Sequence, residues 1–297
     1  MKNILVIGAS GFIGRAVVDE LRMSHNVIAA SNNAIKGYDD VDIDLMDRKS
    51  LQNVLISAKP DFIVNCAGIV ENSEKADLNY QFTRNLLTAI MEANIRPEAV
   101  IIMGSASEYG EVSDDLLPVK EDAPLKAESL YGKSKIKETN YALSFAQKNN
   151  LNVIVARLFN PIGTGMHSRF LIPKIISQIQ LFDADKGGEI EVNRLDAERD
   201  YIDVRDVAAA IRAIIDGKPS YDVYNIGSGV ATSNGDLLVL IINKCANGII
   251  VKVKETSQIR EPQFASCADI SRIEDDLGWY PTYTIEEAIK GIVNERE

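Results

Sequence analysis

Histidine and cysteine are scarce in this sequence of 297 residues, which contains two histidines and three cysteines. The cysteines, Cys66, Cys245 and Cys267, are far apart and odd in number, so their spacing predicts neither a disulfide framework nor a zinc site. His25 and His167 have no second ligand at metal spacing and do not favour a histidine-centred hydrolase. We therefore expect no bound metal.

Long apolar runs and an excess of positive charge are also missing. No apolar run approaches the roughly 20 residues that a membrane-spanning helix needs. The apolar stretch at residues 4–7 is too short for a signal peptide and is followed at once by glycine, so a buried strand and a cytoplasmic protein are expected. The formal net charge of −11 disfavours nucleic acids and anionic membranes as partners. A small anionic ligand remains possible, because a few arginines can form a local basic pocket.

Short β-rich runs alternate with helical patterns over the first 160 residues. Predicted strands cover 4–7, 27–30, 62–66, 99–103 and 153–156, and predicted helices cover 11–23, 50–58, 79–93 and 131–149. This alternation predicts an α/β fold with a doubly wound parallel sheet, the Rossmann arrangement. After about residue 160 the pattern weakens, with helix-like stretches at 174–181, 204–216, 234–245 and 285–294. We expect one domain over 1–160 and a smaller C-terminal lobe over 161–297, with some segments returning to the sheet.

The segment GASGFIG, residues 8–14, falls between the first predicted strand and the first predicted helix. Glycine permits a tight turn here, close approach of the backbone to a pyrophosphate and close packing of the helix on the strand. The N-terminus of the helix supplies N–H groups for phosphates. The motif predicts that residues 1–160 bind a dinucleotide, in preference to a merely structural glycine turn. The predicted contacts are Gly8, Ser10, Gly11, Phe12, Ile13 and Gly14.

The end of the second predicted strand bears on the choice of cofactor. Residues 30–33, ASNN, lack the carboxylate that usually holds the ribose 2′-hydroxyl of NAD, so NADP(H) is permitted and is favoured over NAD(H). Residues 30–33 also lack a basic residue that would bind the 2′-phosphate and so identify the cofactor as NADP(H). Arg15 and Lys36, outside this segment, are candidates for that role. The remaining predicted contacts in this part of the site are Ser31, Asn32, Cys66, Ala67 and Gly68.

Tyr131 and Lys135 open a predicted helix and share one face, four residues apart. A phenol normally ionises near about pH 10, and a neighbouring ammonium lowers that value towards neutrality. Tyr131 can then exchange a proton with a carbonyl or alcohol oxygen. Ser105 follows an apolar strand, and its hydroxyl is expected to hold the same oxygen. The pair alone is a weak signal, but with the glycine loop and Ser105 it predicts a catalytic site in which Tyr131 and Lys135 also contact the cofactor.

These residues carry a resemblance to the extended short-chain dehydrogenase/reductase family that runs from Met1 nearly to the end of the chain. The segment GSASEYG, residues 104–110, is similar to that of the GDP-4-keto-6-deoxy-mannose reductases of this family and places Ser105 at the family's Ser/Thr position. Nucleotide-sugar 4,6-dehydratases have an Asp-Glu or Ser-Glu pair where this sequence has Ala106 and Ser107. The resemblance therefore argues against a dehydratase.

Three later segments resemble family signatures for a nucleotide sugar and imply that residues 161–297 are mainly a substrate-binding lobe. They are RLFNPIG at 157–163, ERDYIDVRDV at 198–207 and IREP at 259–262. By resemblance Asn160 contacts the phosphates, Arg199 clamps the diphosphate with its planar fork of donors, and Arg260 binds the ribose or phosphates. Each arginine alone is also compatible with an ordinary surface charge.

For two acidic residues, Asp44 and Glu108, the sequence is compatible with two interpretations each. Asp44, with Leu45, resembles the family pair beside the adenine, and a solvated loop carboxylate is the other interpretation of Asp44. Glu108 is either a substrate-binding residue of the cleft or a solvated loop charge.

The resemblance implies NAD(P)H-dependent reduction of the 4-keto group of a nucleotide-linked 4-keto-6-deoxy sugar. A 4-epimerase that retains NAD is the first alternative, because the same machinery serves both reactions. A cofactor-sensing protein without chemistry is the second, and the complete Ser–Tyr–Lys set argues against it.

Relatives in the resembled family often form dimers through four helices, and we expect a homodimer that uses the helices at 79–93 and 131–149. Their apolar residues exceed what one sheet face needs; these are Leu86, Leu87, Ile90, Met91, Ala142, Phe145 and Ala146. The alternative is a monomer in which these residues pack only on the sheet.

Overall fold

The computed structural model describes residues 1–32, 41–246, 248–256 and 265–295. The helices in these ranges are α1 (Phe12–Arg22), α2 (Arg48–Ala58), α3 (Leu78–Glu92), α4 (Leu130–Asn149), α5 (Leu171–Gln180), α6 (Val204–Asp216), α7 (Asn234–Cys245), α8 (Ser271–Leu277) and α9 (Ile285–Asn294). The strands are β1 (Asn3–Ile7), β2 (Asn26–Ser31), β3 (Val41–Asp42), β4 (Phe62–Asn65), β5 (Ala99–Ser105), β6 (Val153–Leu158), β7 (Asn160–Ile162), β8 (Gly188–Val192), β9 (Glu198–Asp203), β10 (Val223–Ile226), β11 (Ala231–Ser233) and β12 (Val251–Glu255).

Seven strands form a central sheet in the order β3-β2-β1-β4-β5-β6-β10. Every neighbouring pair in this sheet is parallel. The strand order reverses at β1 and β4, so the chain turns in opposite directions on the two sides of this boundary. In doubly wound sheets the crevice beyond the carboxyl ends of such strands is the place where ligands bind. The predicted Rossmann fold is confirmed.

The apolar first strand is buried on both faces of the sheet. Ile4 and Val6 belong to a core that α1 and α6 close, whereas Leu5 and Ile7 belong to a second core closed by α2, α3 and α4. This explains why β1 is a continuous apolar run without alternation. None of the helices in the described ranges is long and apolar enough to cross a membrane.

The apolar residues assigned from the sequence to a subunit interface lie in the second core instead. Leu86, Leu87, Ile90, Ala142 and Ala146 are buried there against the sheet, and Phe145 packs at its edge. Met91 is half-buried. The argument that these side chains exceed the needs of one sheet face is wrong, because the sheet and α2 already bury them.

The lobe has a core of its own, formed by α5, α7 and α9 around isoleucine and leucine side chains. It carries the sheet β7-β9-β11 and the parallel pair β8 and β12. Two segments between these elements return to the first domain, because β10 pairs with β6 and α6 packs on α1. The lobe and the sheet are therefore interleaved along the chain.

Candidate active site

The glycine loop brings α1 very close to β1. Gly8 has a φ of +77°, which favours glycine, and a Cβ at this position would lie 2.6 Å from the backbone nitrogen of Ala67. A Cβ on Gly14 would lie 2.1 Å from the carbonyl oxygen of Gly8. A side chain at Gly8 would clash with the segment after β4, and one at Gly14 would force α1 away from the end of β1. The role of Gly14 is thus close packing, as the motif predicts.

The N-terminus of α1 is open to an anion. Gly11 precedes the helix in an extended conformation and provides no side-chain cap, so Phe12 and Ile13 begin the helix with their N–H groups at this end. The Ser10 N–H donates to Ser31 Oγ over 2.8 Å, which ties the loop to the end of β2. Arg15 Nε donates to the Ser10 carbonyl over 3.0 Å. This arginine therefore lies beside the loop, but it lines another cavity, between α1 and α6, whereas Lys36 lies outside the described residues.

A cavity of about 280 Å³ lies at the boundary where the strand order reverses. Its lining contains ten of the predicted cofactor contacts: Gly8, Ser10, Gly11, Ser31, Asn32, Asp44, Leu45, Cys66, Ala67 and Gly68. Ile7, Ile43 and Phe82 also line it and were not predicted. Burial raises the pKa of Cys66 to about 12, so it contributes a neutral thiol. The open helix end and the apolar walls fit the phosphates and the adenosine of a dinucleotide.

Asp44 is exposed, and its carboxylate accepts the N–H of Met46 over 2.8 Å. It therefore fixes the turn after β3 and lines the cavity as well. Both interpretations given by the sequence describe part of its environment.

Ser105 ends β5 and begins a short 3-10 helix, Ala106–Glu108. Its Oγ accepts the N–H of Ser107 over 3.2 Å, and its own N–H donates to the Glu108 carboxylate over 2.8 Å. These reciprocal bonds form a capping box and hold the serine at the carboxyl end of the strand. The hydroxyl proton stays available for a ligand oxygen, since Oγ serves here as an acceptor.

Tyr131 is the second residue of α4, and two side chains fix the start of this helix. Ser129 Oγ accepts the Gly132 N–H over 3.0 Å, and Asn72 Oδ1, from the loop after β4, accepts the Leu130 N–H over 2.8 Å. A Cβ on Gly132 would lie 2.5 Å from the Ser107 carbonyl oxygen, so the first turn of α4 lies against the 3-10 helix that follows Ser105. The structure thus brings Tyr131 and Ser105 to the same end of β5. No sequence pattern pointed to Asn72, because it is 58 residues away from Leu130 in the chain.

Lys135 is buried, with 5% of its surface exposed. Its Nζ donates to the Met103 carbonyl at the end of β5 over 2.6 Å and also contacts the Glu138 carboxylate. Burial lowers the pKa of a lysine, but the negative charge of Glu138 and, to a smaller degree, Tyr131 raise the pKa of Lys135 above its usual value. The ammonium is therefore charged, and Tyr131 lies one turn earlier on the same helix face.

Glu108 does not reach the cleft, so both interpretations of it from the sequence are wrong. Its side chain is 0% exposed, and its Oε2 accepts from Arg157 Nη2 over 3.1 Å. Arg157 also donates to the Tyr109 hydroxyl over 2.8 Å. The carboxylate is an internal counter-ion because a buried arginine on β6 requires one. The sequence could not reveal this pairing, which joins β6 to the 3-10 helix that follows β5.

Asn160 and Arg199 meet in the small sheet of the lobe. Asn160 Nδ2 donates to the Asp200 carbonyl over 2.8 Å, and Arg199 Nη1 donates to the Glu198 carbonyl over 2.7 Å. Both side chains are half-buried. The structure therefore brings two of the predicted phosphate contacts together on β7 and β9. Arg260, the third, lies outside the described residues.

Comparison with known proteins gives a match to the NAD dependent epimerase/dehydratase family over residues 4–227. GDP-6-deoxy-D-mannose reductase from Pseudomonas aeruginosa is 25% identical, and the alignment covers 100% of this chain and 97% of the relative. GDP-6-deoxy-D-talose 4-dehydrogenase from Aggregatibacter actinomycetemcomitans is 29% identical over 97% of this chain and 95% of the relative. Among solved structures, RMD from Pseudomonas aeruginosa complexed with NADPH superposes with a TM-score of 0.87 at 24% identity, covering 99% of this chain and 98% of that one.

Glu108→Gln is expected to lower the free energy of unfolding by about 3 kcal/mol, because it leaves the Arg157 guanidinium buried without its counter-ion. Urea unfolding followed by circular dichroism measures this loss. Glu111→Gln removes an exposed carboxylate three residues later and is expected to change stability by less than about 0.5 kcal/mol. Equal stabilities of the two variants would contradict the structural role of Glu108.

Proposed function

The chain belongs to the NAD dependent epimerase/dehydratase family, and on that premise we propose that it is an NAD(P)H-dependent reductase of the 4-keto group of a nucleotide-linked 4-keto-6-deoxy sugar. The observation that carries this proposal is the charged, buried Lys135 on the same helix face as Tyr131, at the end of β5 beside Ser105. Reduction of a carbonyl requires a proton donor for its oxygen, and a phenol with a cation nearby is suited to that role.

Each catalytic side chain has one task in this reaction. The Ser105 hydroxyl donates to the substrate oxygen and orients it. Tyr131 gives its phenolic proton to the same oxygen, and the ammonium of Lys135 stabilises the resulting phenolate. When bound, the nicotinamide supplies the hydride that C4 receives, so that hydride and proton together convert the ketone to an alcohol. The glycine loop and the 280 Å³ cavity hold the rest of the dinucleotide.

The substrate class is supported by the names of the relatives. One is a GDP-6-deoxy-D-mannose reductase, and another is a GDP-6-deoxy-D-talose 4-dehydrogenase. Both are named for a nucleotide-linked 6-deoxy sugar, and the second name specifies oxidation at position 4. Asn160 and Arg199 supply amide and guanidinium donors for the diphosphate of such a ligand. We assign the lobe over 161–297 mainly to substrate binding and residues 1–160 to the cofactor.

NADPH is the proposed reductant. Ser31 and Asn32 at the end of β2 carry no negative charge that would repel a 2′-phosphate. RMD, the structural neighbour, is complexed with NADPH.

A 4-epimerase is the second candidate, and the family to which the chain belongs includes this reaction in its name. An epimerase retains its nicotinamide through turnover, whereas a reductase exchanges it in each cycle. A cofactor sensor without chemistry is disfavoured, because binding alone does not require a buried ammonium aimed at a phenol.

Incubation of the purified protein with NADPH and a panel of 4-keto-6-deoxy sugar nucleotides is expected to oxidise one NADPH per sugar reduced. Tyr131→Phe should keep cofactor binding and lose at least about 100-fold in turnover, the usual scale for loss of a general acid. NADPH absorbance measures turnover, and parallel runs with NADH test the cofactor choice. Interconversion of 4-epimers with tightly retained NAD and no net NADPH consumption would favour the epimerase. Near-normal turnover of Tyr131→Phe would remove the tyrosine from the mechanism.

Arg199→Ala is expected to raise the Michaelis constant for the nucleotide sugar roughly ten- to hundredfold, the value of a charge-assisted bond to phosphate. The Michaelis constant for NADPH should remain close to that of the unmodified protein. Arg212→Ala, on α6 and paired with Glu20, is the matched control and should change neither constant. If Arg199→Ala changed the Michaelis constants for the sugar and for NADPH equally, Arg199 would not be a contact specific to the nucleotide sugar.

We further propose a cytoplasmic homodimer built on α3 and α4. Most of the apolar residues first assigned to the interface are buried in the monomer, and the proposal is supported by a half-buried aromatic seam that retains one of them, Phe145. Tyr80 and Tyr141 meet edge to face with ring centroids 5.2 Å apart, and Phe145 follows at 5.7 Å. Asn140 and Ser144, exposed on α4, border this seam and carry no charge that would oppose a second copy.

Sedimentation at micromolar concentration is expected to give twice the chain mass of 32.6 kDa. Ser144→Arg should shift the mass towards the monomer, because it places a bulky charge at the interface without touching the sheet-face core. Ser24→Arg, on an exposed turn after α1, should leave the dimer intact. A single-chain mass for the unmodified protein would refute the dimer, and a dimer unaffected by Ser144→Arg must use another surface.

A further inference from the structure

Glu138 is a buried carboxylate for which the proposed reaction has no direct use. It lies on α4, three residues after Lys135, and only 2% of its surface is exposed. An ionised carboxylate is rarely buried to this degree without a specific partner. Its position next to the proposed catalytic lysine therefore calls for a physical reason.

Both oxygens of Glu138 are bound by side chains. Oε2 accepts from Lys135 Nζ, and Oε1 accepts from the Thr83 hydroxyl of α3 over 2.6 Å. Thr83 is itself fully buried. The carboxylate is thus held between two helices and has no room to rotate away. Because the Met103 carbonyl binds the same ammonium, Lys135 is fixed from β5 and from α4 at once.

The charge of Lys135 depends on this carboxylate. Burial opposes the charged form of lysine and by itself lowers its pKa, and the attraction of Glu138 is the larger of the effects that raise the pKa of Lys135. Burial likewise raises the pKa of Glu138, and Lys135 and the Thr83 hydroxyl oppose that effect. The pKa of Glu138 stays above its usual value because burial outweighs these two contacts, but each group favours the charged form of the other.

Other charged groups face the pair from neighbouring elements. Glu108, after β5, acts on both Lys135 and Glu138, and Arg157 on β6 pairs with Glu108. Because Glu108 is engaged by that arginine, its charge is largely compensated. Tyr131 faces Lys135 from the same helix. Glu138 is accordingly the carboxylate in direct contact with the ammonium.

We propose that Glu138 is a positioning residue, which fixes the ammonium of Lys135 and keeps it charged before any cofactor binds, and thereby maintains the electric field at the Tyr131 phenol. An ammonium has three N–H donors. Met103 and Glu138 use two of them in the protein alone, which leaves one for the phenol oxygen or a ligand hydroxyl. The inference rests on the proposed function for the catalytic roles of Lys135 and Tyr131, but the contacts that carry it do not.

Glu138→Gln tests the proposal, because the amide keeps the size of the side chain and an acceptor oxygen while it removes the charge. The ionisation of Tyr131 is followed by tyrosinate absorbance, as the difference between each protein and its Tyr131→Phe derivative, since the chain contains ten tyrosines. In Glu138→Gln we expect Lys135 to lose its proton at lower pH, so that Tyr131 ionises at a pH higher by about one unit or more. Turnover at neutral pH should fall roughly tenfold or more, with the Michaelis constant for the sugar changed less.

The direction in which the Tyr131 titration shifts distinguishes two possible effects of the Glu138 carboxylate. It either keeps Lys135 charged or partly cancels the field of the lysine charge at Tyr131. If Glu138 mainly weakened the field of a lysine that stays charged by itself, its removal would favour the phenolate and Tyr131 would ionise at lower pH. That result, or an unchanged titration, would overturn the proposal. The titration requires no substrate, so failure of the reductase assay leaves it interpretable.

Three further variants complete the experiment. Asp77→Asn removes a carboxylate from the exposed Asp77–Lys137 pair between the same helices and should not shift the titration. Glu138→Asp restores the charge and should recover part of the shift, and it serves also if the glutamine variant does not fold. In a Lys135→Met background Glu138→Gln should cause no further shift or loss of turnover. An additional shift there would mean that Glu138 acts on Tyr131 without the lysine, which contradicts the proposal.

Discussion

The hydrogen bond from Lys135 Nζ to the Met103 carbonyl is the contact on which the candidate site depends. It joins α4 to the carboxyl end of β5, where Ser105 begins its capping turn. Without it Lys135 would not be tied to the sheet, and the phenol of Tyr131 would lack a charged neighbour held from β5. The bond requires a lysine to be buried, and a buried ammonium requires a carboxylate. The constraint therefore extends through Glu138 to Thr83 on α3, so that one buried ammonium accounts for polar residues on two helices.

The sheet imposes the second constraint, since it decides where a ligand can lie. The strand order reverses at β1 and β4, and the 280 Å³ cavity opens there. The catalytic candidates are one strand further along, on β5 and on the helix that follows it. A ligand that extends from the glycine loop along the ends of β4 and β5 can thus have its phosphates at α1 and its reactive end at Tyr131. The close approach of Gly14 to Gly8 makes this path short by drawing the helix N-terminus against the sheet.

The sequence predicts those parts of the site that depend on local pattern. The glycine loop, Ser105, Tyr131 and Lys135 were recognisable because their spacing reflects a single turn or a single helix face, and α6, α7 and α9 have the predicted bounds. Glu108 was misjudged because its partner, Arg157, is distant in the chain. Asn72 was missed for the same reason, since it binds the N–H of Leu130. Strands of the lobe such as β8 and β12 are short and half charged, so their alternation is too brief to distinguish them from loops. Leu86 and Ala142 misled for the opposite reason: an apolar stripe shows that a face is buried and does not show what buries it.

Asp200 illustrates why the lobe cannot be understood apart from the sheet. Its carboxylate is fully buried and accepts the backbone N–H groups of Ser228, Gly229 and Ala268 over 2.7, 3.0 and 3.0 Å. The first two follow β10, which is the last strand of the central sheet, while Asp200 itself lies on β9 of the lobe. One side chain therefore fixes the distance between the sheet and the small sheet that carries Asn160 and Arg199. Because Arg199 immediately precedes Asp200, this buried carboxylate also bears on where Arg199 lies relative to the central sheet.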